Sequence, residues 1–280
     1  VPAATVVPER LVVDAAGSPV TVHELGAGPP VLLLHGSGPG TTGWGAWQAV
    51  AESLAARHRV VVPDQAGFGA TPFPGGGPGA DVSRRAVWVD QARHVMAARA
   101  SGPYAVTGHS MGGAVALALA AAESERVSRV AAVASMGAPM GLPAALDALW
   151  GARPEGDGPR RMLSLLYDDP ACVTEEAVDA RRSSMDAGAA AFGPLFPAPR
   201  ERWARDLTLD VDALAAVRAP VLLIHGARDR LTPLASAALP LLEQLADVRL
   251  HAFGRCGHVP AVERREEFLA VLADFLEPDA

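Results

Sequence analysis

Short continuous apolar runs recur along the chain, separated by stretches in which apolar positions return every three or four residues. Val31-Leu32-Leu33-Leu34 and Val60-Val61-Val62 are too short for helices and suit strands buried on both faces. Tyr104-Ala105-Val106-Thr107, the run from Val127 to Ala134, Val221-Leu222-Leu223-Ile224 and the segment from Val248 to Phe253 read the same way. Helical patterns lie between and after them, from Trp44 to Ala56, Val82 to Arg99, Met111 to Ala122, Thr232 to Leu245 and Pro260 to Leu276. Before the first buried run, residues 10–13 and 20–25 alternate around Gly17-Ser18-Pro19, which predicts an antiparallel start. Strands alternating with helices predict an α/β fold built on a mostly parallel, doubly wound sheet.

The alternation stops at about Ser135. From there to about Asp212 only short helical patterns appear, with Met, Trp, Arg and Pro among them. The chain therefore reads as a core from residues 1–135 and 213–280 and an inserted helical cap from residues 136–212. Residues 72–80 form a Pro/Gly-rich surface loop, and no internal repeat or long charge run is present.

Composition changes this picture by exclusion. All 24 basic residues are arginine, and the 280 residues contain no lysine and no asparagine. Schiff-base lysine chemistry is excluded, and so is a phosphate loop that depends on lysine. N-glycosylation lacks an acceptor. The net charge of −7 argues against nucleic acid as a partner. The apolar stretches are far short of the ~20 residues a membrane span needs, and Val1 to Arg10 shows no signal pattern. Cys172 and Cys256 have no paired spacing, which points to a reducing compartment. No His/Cys/Asp/Glu spacing resembles a metal site, and no cofactor is expected.

The candidate chemistry centres on Gly108-His109-Ser110-Met111-Gly112, between a predicted strand and a predicted helix. This is G-x-S-x-G in the strand-turn-helix setting of a nucleophile elbow. The glycines permit a sharp turn, and the Met111 amide at the helix start can stabilise an oxyanion. A serine at neutral pH needs a base, and the base needs an orienting carboxylate. Asp229 follows the strand ending at Ile224, and His258 follows the next strand, in the chain order expected for this elbow. Each alone reads as structural; the three together, each at a strand end, read as a triad. His35-Gly36-Ser37-Gly38-Pro39-Gly40 follows the first buried strand, and an amide of Ser37 or Gly38 is the expected second oxyanion donor. Asp64 to Thr71 reads as a structural turn in the pocket wall, and His225 and His251 as core or rim histidines. Trp150 and Trp203 fall in the cap and are candidates to line the pocket.

With these motifs the chain resembles the α/β-hydrolase superfamily over nearly all its length. Within it, the chain is similar to the meta-cleavage product hydrolases, which split a carbon–carbon bond in dienol-keto acids formed by aromatic ring fission. His35 to Gly40 with Trp44, Phe196 to Trp203, and Arg255-Cys256-Gly257-His258 carry the similarity. Val173 to Arg181 resembles the cap helix whose arginine binds the substrate carboxylate, which assigns that role to Arg181. The resemblance implies a small-molecule substrate and a cytoplasmic homo-oligomer, commonly a dimer. Two positions depart from that family. His109 stands where it has Asn, and Val259 where it has Trp. His109 reads as an elbow residue, expected to contribute to substrate binding with Arg181 and Trp203, rather than a second base. The expectation is a cofactor-independent serine hydrolase that cleaves a C–C bond. A carboxylesterase or thioesterase is the alternative, and a ligand receptor that kept the triad is a different class.

Overall fold

The computed structural model describes residues 8–79 and 81–277; the expected absence of a signal in Val1 to Arg10 therefore falls mostly outside the described residues. Eight strands form one sheet: β1 (Glu9–Ala15), β2 (Ser18–Leu25), β3 (Pro30–Leu34), β4 (Arg59–Pro63), β5 (Tyr104–His109), β6 (Val127–Val133), β7 (Val221–Gly226) and β8 (Val248–Phe253). Their order across the sheet is β1-β2-β4-β3-β5-β6-β7-β8. β1 and β2 pair antiparallel, β2 meets β4 antiparallel, and every later pairing is parallel. The strand order reverses between β3 and β5, which opens a crevice at their carboxyl ends where ligands of such sheets bind.

The helices are α1 (Gly43–Leu54), α2 (Arg84–Arg99), α3 (Met111–Ala122), α4 (Ala144–Trp150), α5 (Gly158–Leu166), α6 (Glu175–Phe192), α7 (Glu201–Asp206), α8 (Val211–Ala215), α9 (Ala238–Gln244), α10 (Pro260–Glu263) and α11 (Arg265–Leu276). The central strands send alternate side chains to opposite faces. Leu32, Leu34, Val61, Val106 and Leu223 pack with Trp88 and Met96 of α2 and Leu117 of α3. Val31, Leu33, Val60, Val133 and Ile224 pack with Trp47 and Leu54 of α1 and Phe268 and Leu272 of α11. Continuous apolar runs are thus required because both faces are covered.

Between β6 and β7 the described residues form α4 to α8 and no strand, as the lost alternation predicts. The expected return to the core at residue 213 falls inside α8, which packs on α3 and α9 as one unit. Two expected helices are also interrupted. Residues 232–237 are turns rather than helix, because Asp229 binds the Leu231 and Thr232 amides and holds the chain out of helical geometry. The last helix is split at Arg264, whose backbone (φ −136°, ψ 43°) leaves helical geometry between α10 and α11.

Candidate active site

Ser110 is the single residue between β5 and α3, with φ 56° and ψ −116°. A non-glycine residue in this region is strained and persists only where its surroundings hold it. Its amide donates to the Val133 carbonyl (2.8 Å) and its carbonyl accepts from the Met136 amide (3.0 Å). The glycines on either side follow from close packing. A Cβ at Gly108 would lie 2.1 Å from the Gly112 carbonyl oxygen, and one at Gly112 would lie 2.3 Å from that of Leu34. The Ser110 hydroxyl makes no helix-capping bond.

Asp229 and His258 arrive from the loops after β7 and β8. His258 Nδ1 donates to Asp229 Oδ2 at 2.8 Å. Asp229 also accepts from the Thr232 hydroxyl (2.7 Å) and from the amides of Leu231 (2.8 Å) and Thr232 (3.1 Å). Burial works against ionisation of Asp229. The adjoining His258 and the hydrogen bonds from His258 and Thr232 outweigh it and hold the carboxyl well below its ordinary range. His225 Nε2 lies 3.5 Å from the same carboxylate oxygen, Oδ2, but donates to the Thr232 carbonyl (2.6 Å), and the ring stays buried and neutral. With Nδ1 engaged, Nε2 is the His258 nitrogen left for Ser110, and both residues line one cavity of about 430 Å³.

The loop after β3 forms another wall of that cavity. His35 is fully buried, donates through Nδ1 to the Gly36 carbonyl (2.8 Å) and accepts the Gln65 amide at Nε2 (3.0 Å). The Gln65 side chain returns a bond to the His35 carbonyl (2.7 Å). Ser37 and Gly38 line the cavity, and Trp150 Nε1 donates to Ser37 Oγ at 2.8 Å. Among the described residues, the amides of Ser37, Gly38 and Met111 donate to no protein acceptor. The Met111 side chain is buried and leaves its amide, the first of α3, as the contribution to this site. Asp64 accepts from the Gly43 amide (2.7 Å) and the Ala70 amide (3.0 Å) and so ties a turn together, but residues 64–71 are not among those that line this cavity, where a place in its wall was expected.

Arg181, from α6, lines the cavity beside this loop. It donates weakly to the Pro39 carbonyl (3.4 Å) and pairs with no carboxylate among the described residues. Burial pulls its pKa down, and nearby Tyr167 opposes the shift. His109 lines the cavity as well, but its Nε2 donates to the His258 carbonyl at 2.8 Å. Its ring lies 4.7 Å from that of His258. Burial, reinforced by His258, pulls the His109 pKa down to about 3, so it is neutral near pH 7. The expectation that Trp203 lines the pocket is corrected. Its ring packs under the Arg84 guanidinium (3.6 Å) and its Nε1 donates to the Pro197 carbonyl (2.7 Å), away from the cavity. Arg84 is itself buried and bound by loop carbonyls, so this tryptophan serves packing. Trp150 meets the cavity loop through Ser37 and stacks on Phe196 at 4.4 Å.

Sequence reading missed the His35–Gln65 exchange and Glu263, which binds three backbone amides beside His258. The His35–Gln65 exchange and the Glu263 bonds to Asp168 and Asp169 join residues far apart in the chain and leave no local spacing signal. No three His, Cys, Asp or Glu side chains among the described residues lie together as a metal ligand set.

Residues 31–271 match the alpha/beta hydrolase family. The 2-hydroxymuconate semialdehyde hydrolase of Pseudomonas sp. (strain CF600) is 38% identical over 270 residues, covering 95% of this chain and 93% of that protein. The 2-hydroxy-6-oxo-2,4-heptadienoate hydrolase of Pseudomonas putida is 35% identical, with 94% of each chain covered. Among solved structures, the meta-cleavage product hydrolase of Pseudomonas fluorescens IP01 superposes with a TM-score of 0.89 at 32% identity, covering 95% of this chain and 96% of that one. An elbow serine, an Asp-bound histidine, two sets of free amides and this likeness converge: the chain is a hydrolase of the alpha/beta hydrolase family, in its meta-cleavage product hydrolase branch.

Proposed function

We propose that the protein hydrolyses a carbon–carbon bond in a 2-hydroxy-6-oxo-dienoate, a vinylogous 1,5-diketone acid. Ser110 is the nucleophile, His258 the base and then acid, and Asp229 the group that orients His258 and stabilises its imidazolium. The amides of Met111 and of Ser37 or Gly38 hold the oxyanion. Residues 136–212 act as the cap over a core of residues 1–135 and 213–280. The dienol first gains a proton at carbon and becomes the ketone. Ser110, or a water activated by His258, then adds to the distal carbonyl. Collapse of the adduct breaks the C–C bond, and the electron pair passes into the hydroxydienoate. On the serine route one water then hydrolyses the acyl-serine, and on the water route the added water is already in the product; either way one water is consumed and the second fragment leaves as a carboxylic acid.

The observation that carries this reading is Arg181. A partly buried guanidinium with no carboxylate partner among the described residues needs an anion from outside the chain. Arginine meets a planar carboxylate through two parallel bonds. Leu163, Leu166, Ala177, Val259 and Val262 give the cavity an apolar stretch that suits an uncharged carbon chain, beside the polar Thr41, Tyr167 and Ser184. Val259, where the branch has Trp, favours a second reading as a carboxylesterase or thioesterase, since it presents only an aliphatic surface beside His258. The reading extends to a cytoplasmic homo-oligomer, supported by the branch likeness and by cysteines that are both free.

The test compares the wild type with Ser110→Ala and Arg181→Ala on a coloured ring-fission dienoate and on a p-nitrophenyl ester. Ser110→Ala abolishes turnover of both. Arg181→Ala raises KM for the dienoate by about tenfold or more, a loss of ~1.4 kcal/mol or more, and leaves the ester untouched. An inert dienoate with a rapidly cleaved ester overturns the C–C reading. Equal effects of Arg181→Ala on both substrates overturn the carboxylate assignment.

A further inference from the structure

His258 lies in a short loop, yet its backbone is held on three sides. Its carbonyl accepts from His109, and its amide donates to the Leu166 carbonyl at 2.7 Å. Leu166 ends α5, so this bond already joins the base to the inserted segment. The third tie is the carboxylate of Glu263, the last residue of α10. One of its oxygens, Oε1, accepts the Gly257 amide at 2.8 Å, immediately before His258. The other, Oε2, accepts the Asp168 amide at 2.8 Å and the Asp169 amide at 2.9 Å, just beyond α5. One carboxylate thus spans the loop that carries the base and the segment above it. Bonds from neutral amides to an ionised carboxylate are among the stronger hydrogen bonds.

Gly257 shows that the two backbones must touch. A Cβ there would lie 2.6 Å from the Leu166 carbonyl oxygen and 2.8 Å from the Asp168 nitrogen. Its backbone therefore approaches the inserted segment in a way that only glycine allows. The break at Arg264 follows directly after Glu263 and ends α10 there. The same stretch supplies cavity wall: Leu166, itself one point of attachment, and Tyr167, between it and Asp168, both line the cavity.

We propose that Glu263 is a positioning residue: its carboxylate latches the inserted segment at Asp168 and Asp169 to the His258 loop at Gly257, so that the base is seated only while the segment is down. This rests on the reading of Ser110 and His258 given above. The latch touches no substrate. It sets the position of His258 relative to Ser110, and an error of about 1 Å in such a relation can cost on the order of a hundredfold in rate.

The test is Glu263→Gln in the full chain, with Gly257→Ala as an independent break of the same contact. Glutamine keeps the volume but offers one carbonyl oxygen, so it cannot accept on both sides of the latch. Three quantities are measured: kcat and KM for the dienoate, the rate of Ser110 labelling by a fluorophosphonate, and the thermal midpoint. The expected result is a fall of at least about tenfold in both kcat and labelling rate, with KM within about twofold, in both variants. Labelling reads activation of Ser110 without dienoate binding, which a purely structural role would not change in the folded protein. Unchanged kcat and labelling overturn the latch, and so does a lowered midpoint with full activity below it. If Glu263→Gln does not accumulate, Gly257→Ala decides by the same criteria. Ser110→Ala runs alongside. If it still cleaves the dienoate, the nucleophile reading fails and takes the latch with it. If it is dead while Glu263→Gln is fully active, only the latch fails.

Discussion

His109 occupies the position where the resembling branch has Asn, and its neighbours define what it does. Its ring nitrogen donates to the backbone of the base rather than to the space where a substrate lies. His109→Leu leaves the buried His258 carbonyl without that donor, a cost of about 1–3 kcal/mol. Urea unfolding should register that loss, while the ratio of kcat/KM for dienoate and ester stays as in the wild type. A shifted ratio would mean that His109 reads the substrate after all. The placement of Ser110, Asp229 and His258 at neighbouring strand ends was legible, because strand ends and chain order constrain it. Sequence position was misleading for Trp203, because its partner Arg84 lies in another part of the chain and only folding brings the two together.

The element that concentrates strain is the turn from β5 to α3. Three backbones cross there within van der Waals contact, and the Gly112 position faces the Leu34 and His35 carbonyl oxygens at 2.3 and 2.6 Å from where a Cβ would stand. Neither neighbour is a flexible side chain that could give way. Gly112→Ala therefore costs about 3 kcal/mol or more, in the range of severe overpacking, and its soluble fraction labels poorly with a serine-directed phosphonate. An alanine variant as stable and as reactive as the wild type would show that the turn has room to relax. The strands around this turn were legible as apolar runs, because burial on both faces leaves no polar positions to obscure them. The start of α9 and the break at Arg264 were not. The Asp229 turn delays α9, and no helical pattern records a turn held by a side chain three residues away.

Across the whole molecule, three buried histidines share one electrostatic condition. His35, His109 and His225 are all pushed below their ordinary pKa, chiefly by burial. An unfolded histidine takes its proton near pH 6.5, whereas folded His109 does so only near 3. Between those values the unfolded chain binds more protons, so stability falls as pH falls. Each such group contributes a slope of up to about 1.4 kcal/mol per pH unit. Asp229 is depressed instead, so its contribution is lost only at still lower pH. The thermal midpoint should therefore drop steadily from about pH 6.5 downward. It should fall again above about pH 8.5, because burial pushes the Cys256 thiol up to about 12 and the unfolded chain loses that proton first. His109→Leu should make the drop on the acid side shallower; equal wild-type midpoints at pH 5 and 7.5 would refute the account. The broad architecture was legible from alternation along the chain. The seating of the inserted segment was not, because it depends on single contacts such as those of Trp150, Leu166 and Glu263.

One of those contacts gives the protein an optical signal of its own. Trp150 is buried, stacked on Phe196 and tied by its indole N–H to Ser37, so the same ring touches the inserted segment and the loop beside the nucleophile. Indole emission is sensitive to solvent. Lifting the segment would wet this ring and shift its light to longer wavelengths, with no label attached to the chain. Of the five tryptophans, Trp150 is thus the one whose contribution to the emission would change if the contact between the inserted segment and the Ser37 loop were broken.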